Sequence, residues 1–217
     1  MKKKYNPEQT VARILSISTE LFHEKGYDKT SMQDIVNALG MSKGAIFHHF
    51  KSKEDIFGAV LEIMADEQTE TYKNLLQNEM QGLTARQKLL RIMNTSANRE
   101  TNKVADAITQ SVNDPKIVMG MMKYNFEKSA PFLADLISEG VADGSFKTDY
   151  PTECAETLLL LLNVWCDPSI LRCNQETFRK RLKYLQHVMA ISGVDIITDE
   201  FIEQNMIFSE SSNEVKA

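Results

Sequence analysis

An all-α chain, with an N-terminal three-helix helix-turn-helix domain followed by a C-terminal helical bundle, is predicted by three features of the sequence. Apolar residues recur at three- and four-residue spacing along nearly the whole length, and no alternating, strand-like pattern competes. Capping residues stand ahead of several short apolar segments, where helix starts need them. The 217 residues, 42% of them apolar, suffice for one or two packed cores and exclude a chain disordered throughout.

The first helix is expected over residues 8–25. Val11, Ile14, Leu15, Leu21 and Phe22 share a face, and Gly26-Tyr27 reads as a C-cap with an apolar clasp. Either Thr30 with Gln33 or Ser31 with Asp34 supplies a capping box for a second, short helix that carries Met32, Ile35, Val36 and Leu39 and stops at Gly40. Ser42 caps a third helix over residues 43–49, with Ile46, Phe47 and Phe50 on one side. Ser52 with Asp55 opens a fourth, through Ile56, Phe57, Val60, Leu61 and Met64, expected to run past residue 70. Two more helical segments are read over residues 83–93 and 104–112. Asp114-Pro115 then starts a helix through Met119, Met122 and Phe126, which Pro131 bends or splits before residues 132–141, and Gly144 ends that element. Residues 151–166 and 175–191 look like two further helices. The first is apolar nearly all round at residues 158–162, which fits either the centre of a bundle or a helix also covered by a second subunit. From Asp195 the tail carries six acids and one base, and residues 209–217 are expected to be disordered. The chain is thus divided into residues 1–55 and 56–217.

The longest apolar stretch, residues 158–165, is broken by Asn163 and flanked by Glu156 and Asp167, so no membrane span is expected. Tyr5-Asn6-Pro7-Glu8 follows the charged N-terminus where a signal peptide would need an apolar run, which points to the cytoplasm. Cys154, Cys166 and Cys173 are odd in number and at no metal-ligand spacing, so free thiols and no disulfide are expected; no metal and no cofactor are expected either.

A net charge of −5 argues against a protein that coats nucleic acid indiscriminately, but the charge is unevenly spread. Residues 1–55 hold nine basic and seven acidic residues, a net of +2, which leaves −7 for the remainder. Residues 35–53 contain Lys43, Lys51, Lys53, His48 and His49 and not one carboxylate. Two short helices joined at Gly40, the second carrying that acid-free set, meet the requirements of a helix-turn-helix whose second helix enters a major groove. Singly, each lysine fits a solvated face and each histidine a surface position; together they favour DNA contact. Lys2, Lys3 and Lys4 either lie in a minor groove or form a disordered solubilising arm.

The run Thr30-Ser31-Met32-Gln33-Asp34-Ile35-Val36, continued by Gly40-Met41-Ser42-Lys43-Gly44-Ala45-Ile46-Phe47-His48-His49-Phe50-Lys51-Ser52-Lys53-Glu54-Asp55, resembles the DNA-binding domain of the TetR family of bacterial transcriptional regulators. A weaker likeness lies at Ile137-Ser138-Glu139-Gly140 with Gly144-Ser145-Phe146, which is similar to the end of a regulatory-domain helix in that family. The resemblance implies phosphate contacts from the hydroxyls and helix N-termini at Thr30 and Ser42, and a phosphate or base contact from Lys43. It implies close backbone approach at Gly44, and at Ala45 either a thymine-methyl contact or none. His48 and His49 would meet bases or phosphates, and Lys53 a phosphate. Phe47 departs from the family pattern, because relatives mostly place a tyrosine there and its hydroxyl commonly meets a phosphate, whereas Phe47 can only pack.

The same resemblance implies that the C-terminal part binds a small-molecule effector, apolar or amphipathic, and pairs two subunits into a homodimer on double-stranded DNA with a palindromic operator. Effector binding would then change the spacing of the two DNA-binding heads. Met119, Met121, Met122, Phe126 and Trp165 are candidate pocket walls by their adaptable side chains, and each also fits core packing. Residues 151–166 and 175–191 are the candidate dimer interface, with Arg179, Lys180, Arg181 and Lys183 on a polar face or in solvent.

An enzyme would have to use Cys166 with Asp167 and His187, or His23 with Glu24. No nucleophile elbow, phosphate loop, zinc-ligand cluster or dinucleotide fingerprint accompanies them, so catalysis is not expected. The expected function is a ligand-responsive transcriptional repressor. The alternative is a DNA-binding architectural or protein-interaction factor with no small-molecule ligand, recognisable by DNA binding that no small molecule alters.

Overall fold

The computed structural model describes residues 7–97 and 115–214. Among them lie ten α-helices and no strand: α1 Pro7–Lys25, α2 Met32–Leu39, α3 Lys43–His49, α4 Lys53–Asn78, α5 Ala85–Ala97, α6 Pro115–Tyr124, α7 Ala130–Asp143, α8 Pro151–Leu160, α9 Gln175–Ile191 and α10 Asp199–Glu214. A π-helical turn, Asn125–Ser129, joins α6 to α7, and another, Leu161–Trp165, extends α8. The helix expected over residues 104–112 lies outside the described residues.

Two compact units emerge. The first contains, among the described residues, those up to Glu67 together with residues 115–121; the second contains residues 68–97 and those from Met122 onward. The first unit continues past residue 55 because Ile56, Phe57 and Val60 in the opening turns of α4 are buried in the same core as Ile14, Phe22, Ile35 and Ile46. An aromatic group anchors that core: Phe22 meets Phe57 edge-on at 5.3 Å, and Tyr27 lies 4.5 Å from Phe57.

Of the two capping boxes open to α2, the chain uses Ser31 with Asp34. The Ser31 side chain accepts the Asp34 N–H, and the Asp34 carboxylate accepts the Ser31 N–H. Gln33 is engaged elsewhere, donating to Asn37. Arg13 reaches from α1 to the carbonyl of Leu39 at 3.0 Å and so satisfies an acceptor at the end of α2. Among the described residues of this unit, the Ser18 hydroxyl, on a residue that is 0% exposed, is buried and makes no protein hydrogen bond. Ser18→Ala removes that uncompensated hydroxyl and improves helix propensity, so it should stabilise the protein by about 1 kcal/mol. An unchanged or lower melting temperature would refute that reading of the site.

The second unit is a bundle around Leu89, Ile137, Ala155, Leu158, Leu182 and Leu185, all nearly inaccessible. Thr84 and Gln87 form a capping box at the start of α5, and Asp143 at the end of α7 accepts the Ala85 N–H at 2.7 Å. The expected bend at Pro131 takes a definite form. With no N–H at position 131 and its ring against the preceding turn, the chain widens into five π-helical residues before α7, and the Ala130 N–H bonds the Asn125 carbonyl instead.

The acidic tail is a correction. Residues 199–214 form α10, so the disorder expected from residue 209 does not hold for residues 209–214. Phe201, Ile202 and Met206 are buried in the bundle core, and the Thr198 hydroxyl caps the helix by accepting the Phe201 N–H. Arg179 pairs with Glu203, and Lys183 with Asp199 at 2.7 Å, so cations of α9 offset the tail's charge.

Candidate nucleic-acid interface

The exposed side of the helix-turn-helix is set by how α3 is held. Ile46 is fully buried and ties α3 to the first core, while Ala45, Phe47, His49 and Phe50 are half-buried. Ser42 caps the helix, its side chain accepting the Ala45 N–H, and the turn from Gly40 brings α3 across α2. With its anchors inward, α3 leaves Ser42, Lys43, Gly44 and His48 exposed. The first turn of α3 carries no acid and the last carries His48 and His49, whose rings meet edge-on at 5.3 Å. The Lys43 ammonium lies 5.4 Å from the Phe47 ring, one helical turn on, so Phe47 packs beneath the lysine. Lys51 donates to the Phe47 carbonyl at 2.8 Å, which places another cation at the exit of α3.

Thr30, expected at a phosphate, has its side chain turned into the protein. It is 2% exposed, and its hydroxyl donates inward to the carbonyls of Gly26 and Leu21. The N-terminus of α2 is likewise already served by protein: the Ser31 hydroxyl and N–H, with Lys25, hold the Asp34 carboxyl far below the usual carboxylate range. A phosphate there would meet a carboxylate.

Lys53 is also engaged within the protein. Its ammonium donates to the Tyr27 carbonyl at 2.8 Å and sits 3.9 Å from the centre of the Tyr27 ring. The Tyr27 hydroxyl in turn donates to Glu54 at 3.2 Å. Glu54's own backbone N–H, followed by the Ser52 and Tyr27 hydroxyls and Lys53, keeps its carboxyl below the usual range against the opposing effect of burial. This set joins residues 27 apart in sequence, Tyr27 and Glu54, and carries no local signal beyond the residue types.

Of the five residues expected as effector walls, Met119 and the half-buried Met121 belong to the first unit, and Met122, Phe126 and Trp165 to the second. Met119, on the α6 segment of the first unit, is 63% exposed; Met122 and Phe126 are half-buried. Trp165 is half-buried and lines an open apolar hollow of about 300 Å³ with Leu160, Leu161, Val164 and Tyr184. A larger open groove, about 570 Å³, runs between residues 147–157 and 189–192. No group of three or more potential metal ligands occurs among the described residues. Of the residues weighed for catalysis, Cys166 is 1% exposed, and burial pushes its thiol up to about 12.

Comparison with known proteins agrees with this arrangement. Residues 14–60 match the family model of bacterial regulatory proteins of the tetR family, and residues 93–188 match a tetracyclin repressor-like C-terminal domain. The HTH-type transcriptional repressor KstR2 of Rhodococcus jostii is 30% identical over 146 residues, covering 65% of this chain and 70% of that protein. RolR, solved in complex with resorcinol, superposes with a TM-score of 0.65 at 16% identity over 91% of this chain and 93% of that one. A transcriptional regulator of Saccharomonospora viridis, solved with choline, gives 0.54 at 22% identity over 84% and 96%. At those identities the two structures share the fold. With an acid-free α3 standing on a buried Ile46, and with both halves matched, the chain belongs to the TetR family of bacterial transcriptional regulators and is a DNA-binding regulator of transcription.

Proposed function

We infer that this regulator represses transcription as a homodimer on a palindromic operator, each protomer placing α3 in a major groove, and that an apolar or amphipathic small molecule bound by the C-terminal bundle releases it. The observation that carries the reading is α3, which exposes Lys43, Gly44 and His48 with no carboxylate in its seven residues. Ser42 and Lys43 serve phosphates or a base edge, Gly44 and Ala45 allow close approach, and His48 and His49 act from the last turn. Repression is favoured by the relatives named as repressors. A small-molecule effector is favoured by fold neighbours solved with resorcinol and with choline. No described helix is long and apolar enough to cross a membrane, and the cytoplasm is the compartment where such an operator is met.

The dimer face is α8 with α9. Leu160 is 36%, Tyr184 57% and Ile191 70% exposed, on the sides of these helices turned away from the core residues Leu158, Leu182 and Leu185. An apolar surface of this kind, next to the Trp165 hollow, suits burial of the roughly 800 Å² per partner that a stable interface requires. Tyr184→Glu should place a charge in that interface and raise the dimer dissociation constant by about a hundredfold or more. Sedimentation equilibrium is the measurement, with helicity unchanged as control; a dimer as tight as the wild type would move the interface elsewhere.

Selection of bound fragments from sheared genomic DNA by the purified protein tests the whole reading. Enrichment of one short palindrome, lost in Lys43→Glu, is the expected result. Enrichment that every small molecule leaves unaltered, together with a stable hetero-complex, would favour the protein-interaction alternative.

A further inference from the structure

The Lys53 ammonium touches one residue twice: it donates a hydrogen bond to the Tyr27 carbonyl at 2.8 Å, and it covers the Tyr27 ring at 3.9 Å. Tyr27 is itself fixed. It is 4% exposed, its ring packs on Phe57 and Phe22, and its hydroxyl donates to Glu54, the residue after Lys53. The same Tyr27 carbonyl accepts the Thr30 N–H at 3.1 Å, so the turn between α1 and α2 and the first turn of α4 share an acceptor.

The first turn of α4 also reaches the exit of α3. Asp55 accepts the Lys51 N–H at 3.0 Å, and Ser52 caps α4 by accepting the Asp55 N–H. Residues 52–55 therefore hold the entry to α2 on one side and the exit of α3 on the other. These are the two ends of the helix-turn-helix.

We propose that Lys53 is a positioning residue, a latch that locks the first turn of α4 to Tyr27 and thereby fixes the angle at which α3 is presented to DNA. This rests on the DNA-reading role of α3 and differs from a direct phosphate contact at Lys53. A latch and a phosphate ligand make opposite demands on the ammonium, since the latch needs it on Tyr27 while DNA is bound.

The test uses the full chain with Lys53→Met and Lys53→Arg. Methionine keeps the aliphatic stem and removes the donor and the charge; arginine can still donate to the carbonyl and stack on the ring. Amide hydrogen exchange at Thr30 should speed up by about tenfold in Lys53→Met and return to the wild-type rate in Lys53→Arg. Affinity for the palindrome that the wild type selects should fall by about tenfold in Lys53→Met, recover in Lys53→Arg, and keep the wild-type dependence on salt. Three results would overturn the latch. Unchanged exchange at Thr30 removes the lock. Faster exchange with unchanged affinity makes the contact merely structural. A salt slope shallower by about 1.8 per dimer with unchanged exchange makes Lys53 a phosphate ligand. If the wild type selects no palindrome, the DNA-reading proposal falls by that result alone, and exchange at Thr30 still decides whether the lock exists.

Discussion

Lys43→Glu is expected to abolish sequence-specific DNA binding while leaving the fold and the dimer intact. Lys43 opens α3, is exposed, and faces no acid in its own helix. A glutamate at a first-turn position interacts favourably with the helix N-terminus, so α3 itself should be unharmed or slightly stabilised. At the DNA, a cation that meets a phosphate or a base edge is replaced by a charge that repels it. A contact of this kind is worth roughly 1–3 kcal/mol, and a dimer makes it twice, so the loss should range from roughly thirtyfold to beyond ten-thousandfold. Anisotropy titrations at several salt concentrations read the effect, with circular dichroism and the melting temperature as controls. Wild-type log affinity should fall with log salt at about −0.9 per neutralised phosphate. Retained specific affinity in the variant would remove α3 from the groove, whatever the family resemblance.

The residues that made this surface legible are local ones. Ser31, Ser42 and Ser52 announce helix starts a few residues ahead, and the starts of α2, α3 and α4 follow from them. Ile46 with Lys43 and His48 shows which way α3 must face, since an apolar anchor and a basic surface sit at helical spacing. Contacts remote in sequence were illegible. Nothing near Thr30 signals that its hydroxyl is spent on Leu21 and Gly26, and nothing near Lys53 points to Tyr27. The choice between the capping pairs at residues 30 and 31 depended on the same burial. At the other end, the five acids of α10 hid its last turns, because composition reports the solvated side of a helix and not Phe201, Ile202 and Met206 beneath it. The π turn at Leu161–Trp165 was equally hidden, since a segment apolar nearly all round has no periodicity from which to read its winding.

Gly193→Ala should be the most destabilising single methyl addition in the second unit. Gly193 ends α9 with φ +79°, its N–H bonding the Ala190 carbonyl while the Val194 N–H returns to Met189. Its own carbonyl accepts the Lys147 N–H at 3.0 Å, drawing the α7–α8 connection against the exit of α9. A Cβ there would stand 1.7 Å from the Lys147 carbonyl oxygen and 2.6 Å from its carbon. Both are backbone atoms, so no side-chain rotation relieves the clash, and the two segments must part. Val194, Ile196 and Ile197 follow at once and are buried, so the displacement enters the core. Left-handed strain, the forced shift and the lost hydrogen bond together come to about 3–5 kcal/mol. At roughly 2–4 °C per kcal/mol, that lowers the melting temperature by about 6–20 °C. Gly144→Ala separates the causes. Gly144 has the same φ of +79°, yet a Cβ there meets nothing within 4 Å, so it carries the strain alone and should cost only about 1–2 kcal/mol. The difference between the two variants isolates the backbone contact at Lys147. Because α9 ends at Ile191 on the proposed dimer face, Gly193→Ala should also weaken dimerisation where Gly144→Ala does not. Equal losses in both would mean that the Lys147 segment yields, and that the exit of α9 is held by its core residues alone.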